Sequence, residues 1–177
     1  MPDRTALVKL RPLPIDSREL RRVYGCHPSG VTAVCAMVDG EPVGMAASSF
    51  TSVSVDPPLV SICVQTDSRT WPRLKAAARL GLSVLAEHHS DACRTLSRRE
   101  GDRFAGVPWT RLASGAVIVP EASAWLECLL RSEVAAGDHM IAVLEVCALD
   151  ANVGMPPLVF HGSRFHRLTG ADVLERT

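Results

Sequence analysis

A run of small hydroxyl residues lies between positions 48 and 54. Five of these residues are Ser or Thr, in the order Ser-Ser-Phe-Thr-Ser-Val-Ser. A fully buried strand would not contain so many hydroxyls, because each one left without a hydrogen bond costs about 1–3 kcal/mol. The run therefore either lies on the surface or faces a polar ligand. Its small side chains would let a flat heterocycle with imide-like edges, or a phosphate group, approach the backbone amides.

Ser68, Arg69 and Thr70 form a second candidate cluster, at the start of a helix that the pattern predicts over 70–79. Two hydroxyls, a guanidinium and a helix N-terminus in one place predict a site for an anion. Thr70 is the expected N-cap of this helix, and Pro72 falls in its first turn.

Other candidate residues predict no chemistry of their own. His88 and His89 have no third ligand at a useful spacing, so no metal site is predicted. Glu127 and Glu133 are expected at solvent-facing positions of a strand. The six cysteines form no Cys-x-x-Cys pair, and most lie in apolar runs. This pattern indicates free thiols in a reducing compartment rather than a disulfide framework or a zinc site.

Charge and hydropathy exclude two classes of protein. The 177 residues include 19 basic and 19 acidic side chains, which argues against a nucleic-acid protein that works by neutralising phosphates. No apolar run approaches the roughly 20 residues of a membrane span, and no hydrophobic signal core follows the N-terminus. We therefore expect a cytoplasmic protein that acts without a membrane.

The elements that must position these residues are mostly strands. Asp39-Gly40 is a hairpin signal between strands over 31–38 and 42–47, and Gly137-Asp138 is a turn between strands over 124–134 and 140–149. Further strands are predicted over 59–65, 81–85, 158–161 and 164–168, and helices over 17–24, 70–79 and 90–99. The spacing predicts a mainly β fold, an antiparallel Greek-key-like barrel with short flanking helices. One domain is expected over 17–168, with an N-terminal extension over 1–16 and a C-terminal tail over 169–177.

Eight sequence blocks occur in a fixed order. They include Pro-Ser-Gly-Val-Thr at 28–32, the hydroxyl-rich segment at 43–60, Asp-Arg-Phe-Ala-Gly-Val at 102–107 and Gly-Asp-His at 137–139. The others fall at 66–72, 82–86, 124–128 and 157–168. Together the blocks resemble the flavin reductase-like, FMN-binding split-barrel family, the reductase components of two-component flavin-dependent monooxygenases. The resemblance covers residues 17–168.

The resemblance implies a homodimer of split β-barrels that binds FMN or FAD near the dimer interface. NADH or NADPH would reduce the flavin, and a separate flavin-dependent monooxygenase would receive it. No Gly-x-Gly-x-x-Gly motif is present, so the nicotinamide would have to bind in a shared groove. The residues expected at the cofactor are Ala47, Ser48, Ser49, Phe50, Ser52, Val53, Ser54, Ser68, Arg69, Thr70, Ser83 and Phe165.

Within that set, the resemblance assigns 47–49 to the edge of the isoalloxazine ring and 52–54 to the ribityl chain or phosphate. Residues 68–70 would hold the phosphate. His139 is the candidate catalytic residue, and its expected role is to orient the nicotinamide or the flavin edge rather than to remove a proton. Ala47 and Ser83 depart from the Thr and Asn that the family usually has there, which favours weak retention of flavin as a diffusing substrate.

Two other functions remain open from the sequence. One is a non-catalytic split barrel that binds flavin or haem as a carrier or sensor. The other is an enzyme that acts directly on a substrate with bound flavin, which the absence of a recognisable basic cluster for a substrate phosphate disfavours.

Overall fold

The computed structural model describes residues 10, 12–13 and 16–168. Within these residues the helices are α1 (Ser17–Tyr24), α2 (Trp71–Leu74) and α3 (Ser90–Leu96), and a 3₁₀ turn spans Glu87–His89. The strands are β1 (Ser29–Gly30), β2 (Thr32–Val38), β3 (Glu41–Ala47), β4 (Thr51–Val55), β5 (Pro58–Gln65), β6 (Leu80–Val84), β7 (Thr110–Arg111), β8 (Val117–Ile118), β9 (Ala124–Ala136), β10 (His139–Ala151), β11 (Val159–His161) and β12 (Arg164–His166). The predicted tail over 169–177 and most of the predicted extension over 1–16 lie outside the described residues.

Seven strands form one antiparallel sheet in the order β3-β2-β6-β9-β10-β5-β4. The β2–β3 hairpin turns at Asp39 and Gly40, which both have positive φ (53° and 83°). That conformation matches the twist of a two-residue hairpin. The sheet curls until the end of β3 meets β5, where the Ser49 hydroxyl bonds to the backbone of Cys63. The predicted mainly β, antiparallel fold is confirmed.

Two apolar cores lie on opposite faces of β2, which explains why its sequence is apolar without alternation. Val34 and Ala36 point into the barrel, where Trp71 and Leu74 of α2 also pack. Ala33 and Cys35 point outward into a second core, beneath α3 and the β11–β12 hairpin. Side chains that pack in either core cannot bind a ligand. The residues left for a ligand are therefore those at the ends of the strands.

Two predicted helices are shorter in the structure, and the hydroxyl-rich run contains a strand that was not predicted. The helix expected over 70–79 is a single turn, because Trp71 and Leu74 bury their side chains in the barrel and the chain must then enter β6 at Leu80. The helix expected over 90–99 ends at Leu96. The hydroxyl-rich run ends in strand β4, whose residues are largely exposed at the edge of the sheet.

None of the helices in the part of the chain that the structure describes is long and apolar enough to cross a bilayer.

Candidate functional site

A cavity of about 670 Å³ opens where the end of β3 approaches the end of β5. The loop that leads to α2, the segment after α3 and the first residue of β10 complete its walls. Its lining residues are Met45, Ala46, Ala47, Ser48, Ser49, Cys63, Val64, Gln65, Asp67, Ser68, Arg69, Leu96, Ser97, Arg99, Glu100, Arg103 and His139.

Small residues from the end of β3 form one wall of the cavity. Ala47 is buried, Ser48 is exposed, and Ser49 is half-buried. The Ser49 Oγ accepts a hydrogen bond from the Cys63 N–H (2.8 Å) and donates one to the Cys63 carbonyl oxygen (3.1 Å). Ser49 therefore fixes this wall against β5, whereas the Ser48 hydroxyl remains exposed beside the cavity.

The loop between β5 and α2 forms a second wall and is tied to the β9–β10 hairpin. The backbone N–H and the hydroxyl of Thr66 both donate to the carbonyl oxygen of Asp138, at 3.0 and 3.1 Å. Ser68 Oγ accepts from the Trp71 N–H at 3.2 Å. Thr70 occupies the N-cap position of α2, as predicted, but its side chain makes no capping hydrogen bond. Ser68 accepts the hydrogen bond from the first helical N–H instead.

Arg69 supplies the positive charge of this second wall. The sequence predicted that a helix N-terminus would add to it, but α2 has only four residues. So short a helix has a small dipole, because the macrodipole grows from aligned peptide units. The groups that would bind an anion here are therefore the Arg69 guanidinium and the Ser68 hydroxyl. These residues are neighbours in the sequence, and both line the cavity.

His139 stands at the start of β10, on the side of the cavity nearest the hairpin turn. Its Nδ1 lies 2.7 Å from the Asp138 Oδ1. This hydrogen bond, together with the charge of the ring, holds the pKa of the Asp138 carboxyl below its usual value. With Nδ1 directed at Asp138, Nε2 is the ring atom left for a ligand.

Arg103 is a lining residue to which the sequence analysis gave no role. Its Nη1 donates to the carbonyl oxygen of Gly44 at 3.3 Å, and burial lowers the pKa of its guanidinium. The next residue, Phe104, packs on Gly44, where an added Cβ would lie 2.9 Å from the ring and 2.6 Å from the Cys35 Sγ. Asp102 accepts from the Phe104 N–H at 2.8 Å and so fixes the start of this block. Membership of the Asp-Arg-Phe-Ala-Gly-Val block was the signal that could have identified Arg103.

The charged groups of the cavity are mixed. Arg69, Arg99 and Arg103 line it together with the carboxylates of Asp67 and Glu100. Guanidinium groups on two sides of one cavity suit a ligand that bears phosphate.

Four predicted cofactor residues from the hydroxyl-rich run do not line the cavity. The ring of Phe50 packs against the core inside the barrel. Ser52, Val53 and Ser54 belong to β4, which forms the edge of the sheet and has a bulge between Ser52 and Ser54.

Three more predicted cofactor residues lie outside the cavity for reasons of packing. The side chain of Thr70 is buried. Ser83 is also buried, and its Oγ accepts from the Val119 N–H at 2.9 Å. Phe165 packs with Phe160 at 5.6 Å between ring centroids, and Arg94 lies over the Phe165 ring.

The other candidates from the sequence have structural partners. His89 is buried, and its Nδ1 accepts from the Ala86 N–H at 3.1 Å. No group of three or more metal-binding side chains occurs among the residues that the structure describes. Glu127 is bound by Ser114 and Arg79, so it is not a freely solvated carboxylate.

The prediction that Glu133 faces solvent is wrong, because β9 has a bulge. Val143 of β10 pairs with Ser132, but its neighbour Leu144 pairs with Leu130, so β9 holds one extra residue there. An extra residue reverses which side chains face inward beyond it. Glu133 pairs with Ala142, which is buried in the barrel core.

The comparisons with known proteins agree on one family. The profile of the family described as Flavin reductase like domain matches residues 24–169. A probable flavin reductase from Rhizobium meliloti (strain 1021) is 40% identical over 136 residues, which are 76% of this chain and 44% of that protein. The reductase subunit of a flavin-dependent monooxygenase from Rhodococcus jostii (strain RHA1) is 35% identical over 151 residues, or 85% of this chain and 77% of that protein.

A solved structure gives the same result for the fold. The NADH:FAD oxidoreductase from Streptomyces globisporus, solved in complex with NAD and FAD fragments, superposes with a TM-score of 0.83 at 38% identity. The match covers 90% of this chain and 96% of that one.

The chain spans only 44% and 60% of the lengths of the two Rhizobium meliloti relatives that it matches.

Proposed function

The chain belongs to the flavin reductase-like family, and we propose that it is an NAD(P)H-dependent flavin reductase whose active site is the cavity between β3, β5 and β10. In this reaction NADH or NADPH is oxidised, and FMN or FAD accepts the hydride. Membership of the family confirms the resemblance on which the sequence-based prediction rested.

One observation supports the proposed site most directly. Three segments that the sequence singled out separately, 47–49, 68–69 and His139, meet in a single cavity. Its volume of about 670 Å³ falls in the range of about 300–1,000 Å³ typical of cofactor pockets. The small alanine and serine side chains leave room for a flat ring, and the guanidinium groups can donate hydrogen bonds to a phosphate.

The residues present fit a flavin and a nicotinamide in distinct roles. The backbone of Ala47 and the hydroxyl of Ser48 would bind the edge of the isoalloxazine ring. Ser68 and Arg69 would bind phosphate. His139, held through Nδ1 by Asp138, would orient the nicotinamide or the flavin edge through Nε2. The flavin, when bound, supplies the hydride acceptor, so the protein needs no strong general base.

We further propose that the reduced flavin leaves for a separate flavin-dependent monooxygenase. The Rhodococcus jostii relative is the reductase subunit of such an enzyme. The cavity is open and offers a mixed set of charges rather than a purely cationic cradle, which suits a flavin that binds and dissociates.

We also propose a cytoplasmic homodimer. Strand β4 is an open sheet edge on which Val53 and Val55 are exposed, and such an edge is a ready surface for a second copy. Facing a partner subunit, Ser52 and Ser54 could reach the flavin as the resemblance implies. All six cysteines are unpaired in the structure, as suits a reducing compartment.

The test is steady-state oxidation of NADH and NADPH with FMN, FAD and riboflavin at several concentrations. We expect the rate to rise and saturate with flavin concentration for at least one pair. A rate that is independent of added flavin would contradict the proposal. Tight binding of flavin without nicotinamide oxidation would favour the carrier or sensor instead.

A further inference from the structure

The carboxylate of Glu133 binds two side chains at the end of the barrel next to α2. Its Oε1 accepts from the Trp71 Nε1–H at 2.7 Å, and its Oε2 lies 3.0 Å from the Lys75 Nζ. These contacts hold the pKa of Glu133 below its usual value, the Trp71 hydrogen bond being the larger cause. Trp71 is itself buried in the barrel core, so the contact joins β9 to the interior rather than to a mobile surface group.

Trp71 passes this contact on to the cavity wall. Its backbone N–H donates to the Oγ of Ser68, and Ser68 and its neighbour Arg69 line the cavity. Because the Ser68 oxygen accepts from Trp71, the Ser68 hydroxyl proton is available for a ligand. Trp71 thus joins the two contacts, with its indole bound to Glu133 and its backbone N–H bound to the Ser68 hydroxyl.

The β9–β10 hairpin holds this loop at two points. Glu133 of β9 anchors Trp71 at the end of the loop, and the carbonyl oxygen of Asp138 binds Thr66 at its beginning. The same hairpin carries His139 on the other side of the cavity. The phosphate-binding wall and the histidine are therefore positioned by one element.

We propose that Glu133 is a positioning residue for ligand binding: through Trp71 it fixes Ser68 and Arg69 relative to His139. This inference rests on the proposed function, because it assigns these two residues to the phosphate of the flavin. Within the described part of the chain, the Glu133 carboxylate binds Trp71 and Lys75 and no residue that lines the cavity. We therefore expect Glu133 to affect the affinity for flavin rather than the rate of hydride transfer. The bulge in β9 that turns Glu133 inward is then part of the site.

The experiment compares Glu133→Leu and Trp71→Phe with the wild-type protein. Each variant removes one partner of the hydrogen bond, and we expect each to raise the KM and the Kd for flavin about fivefold to tenfold, the size expected for one lost hydrogen bond. The kcat should change less than about twofold, because ground-state binding is what is lost. The double variant should be no worse than the more severe single variant, because both remove the same contact.

Two conservative variants separate the hydrogen bond from the charge. Glu133→Gln retains an oxygen that can accept from the indole, and it should retain near wild-type affinity for flavin. Lys75→Met removes only the ion pair and should also bind flavin normally. If Lys75→Met weakens binding as much as Glu133→Leu, the charge rather than the indole contact is responsible, and the proposal is overturned.

Glu127→Leu is the matched control on the same strand. The Glu127 and Glu133 side chains are similarly exposed (19% and 21%), and Glu127 binds Arg79 and Ser114 instead. It lies six residues from Glu133, or about 20 Å along an extended strand. We expect Glu127→Leu to lower the melting temperature but to leave the KM and Kd for flavin unchanged.

The outcomes distinguish this inference from the proposed function. If the wild-type protein binds flavin without oxidising nicotinamide, the proposed function fails, and the flavin Kd, measured by quenching of flavin fluorescence, still tests Glu133. If Glu133→Leu and Glu127→Leu change the Kd equally, or neither changes it, the positioning role is wrong. If Glu133→Leu does not fold, Trp71→Phe with normal flavin affinity would overturn the proposal. If the wild-type protein binds no flavin, both proposals fail.

Discussion

The hydroxyl of Ser49 bonds to both backbone groups of Cys63, 14 residues away in the chain. Ser49 follows β3, and Cys63 lies in β5 beyond the last residue that pairs with β4. Among the residues that the structure describes, no strand pairs with this edge of β5 at Cys63. One serine side chain therefore supplies the donor and the acceptor that a neighbouring strand would provide.

Replacing this hydroxyl should weaken the fold. We expect Ser49→Ala to lower the free energy of unfolding by about 1–2 kcal/mol, since two hydrogen bonds are lost at a half-buried position. Ser48→Ala is the matched control, with an exposed side chain, and should change stability by less than about 0.5 kcal/mol. Urea unfolding measures both. Equal stability of the two variants would contradict the role of Ser49 in closing the barrel.

Replacement of His139 should affect the nicotinamide more than the flavin. We expect His139→Ala to lower kcat/KM for NADH or NADPH by about tenfold to hundredfold, because a misoriented reactant loses much of the benefit of proximity. The KM for flavin should change less than about threefold. His88→Ala, at an exposed histidine that does not line the cavity, is the control. Full activity of His139→Ala would show that the catalytic assignment is wrong.

The cysteines should divide into two classes of reactivity. Cys26, Cys63 and Cys147 are exposed, whereas burial raises the pKa of the Cys35 and Cys128 thiols to about 12 and also raises that of Cys93. A thiol reagent should therefore label three sites in the native protein and the others only on unfolding.

FMN should protect one of these sites, Cys63, because it lines the cavity. Mass spectrometry of the labelled peptides, with and without FMN, measures the protection. Cys26 and Cys147 are internal controls whose labelling should not change. Protection of all three sites equally, or of none, would argue against flavin binding in this cavity.

The stability of the protein should fall in mild acid because of His89. Burial, and secondarily the neighbouring His88, lowers the pKa of the folded His89 ring below the usual 6.5. A histidine with a lowered pKa binds protons more tightly in the unfolded chain, so stability is lost as the pH falls below 6.5 towards the folded value. His89→Asn retains an acceptor for the Ala86 N–H and does not titrate. The melting temperature of this variant should change less with pH than that of the wild-type protein. Parallel plots of melting temperature against pH for the two proteins would contradict the prediction.

The sequence predicted the strands best where turn chemistry is explicit. Asp39-Gly40 and Gly137-Asp138 mark the two hairpins, and both occur where expected. Strand β4 was missed because an exposed edge strand needs no apolar face, so its hydroxyls show no informative periodicity. Helix α2 was overextended because helix propensity does not report where the next strand must begin.

The candidate site was predictable in part. Segments 47–49 and 68–69 and His139 line one cavity, and their roles at a cofactor stay predictions. Ser83 could not be placed from sequence, since its hydroxyl binds the backbone of Val119, 36 residues away. Glu133 was misplaced because alternation along a strand does not reveal a bulge.

A crystal structure of the protein soaked with FMN tests the central claim most directly. We expect the isoalloxazine ring against 47–49 and the phosphate at Ser68 and Arg69, with His139 at the edge of the ring. The crystals must contain protein that reduces flavin. If FMN is bound elsewhere in them and this cavity holds only solvent, the proposed location of the active site is contradicted.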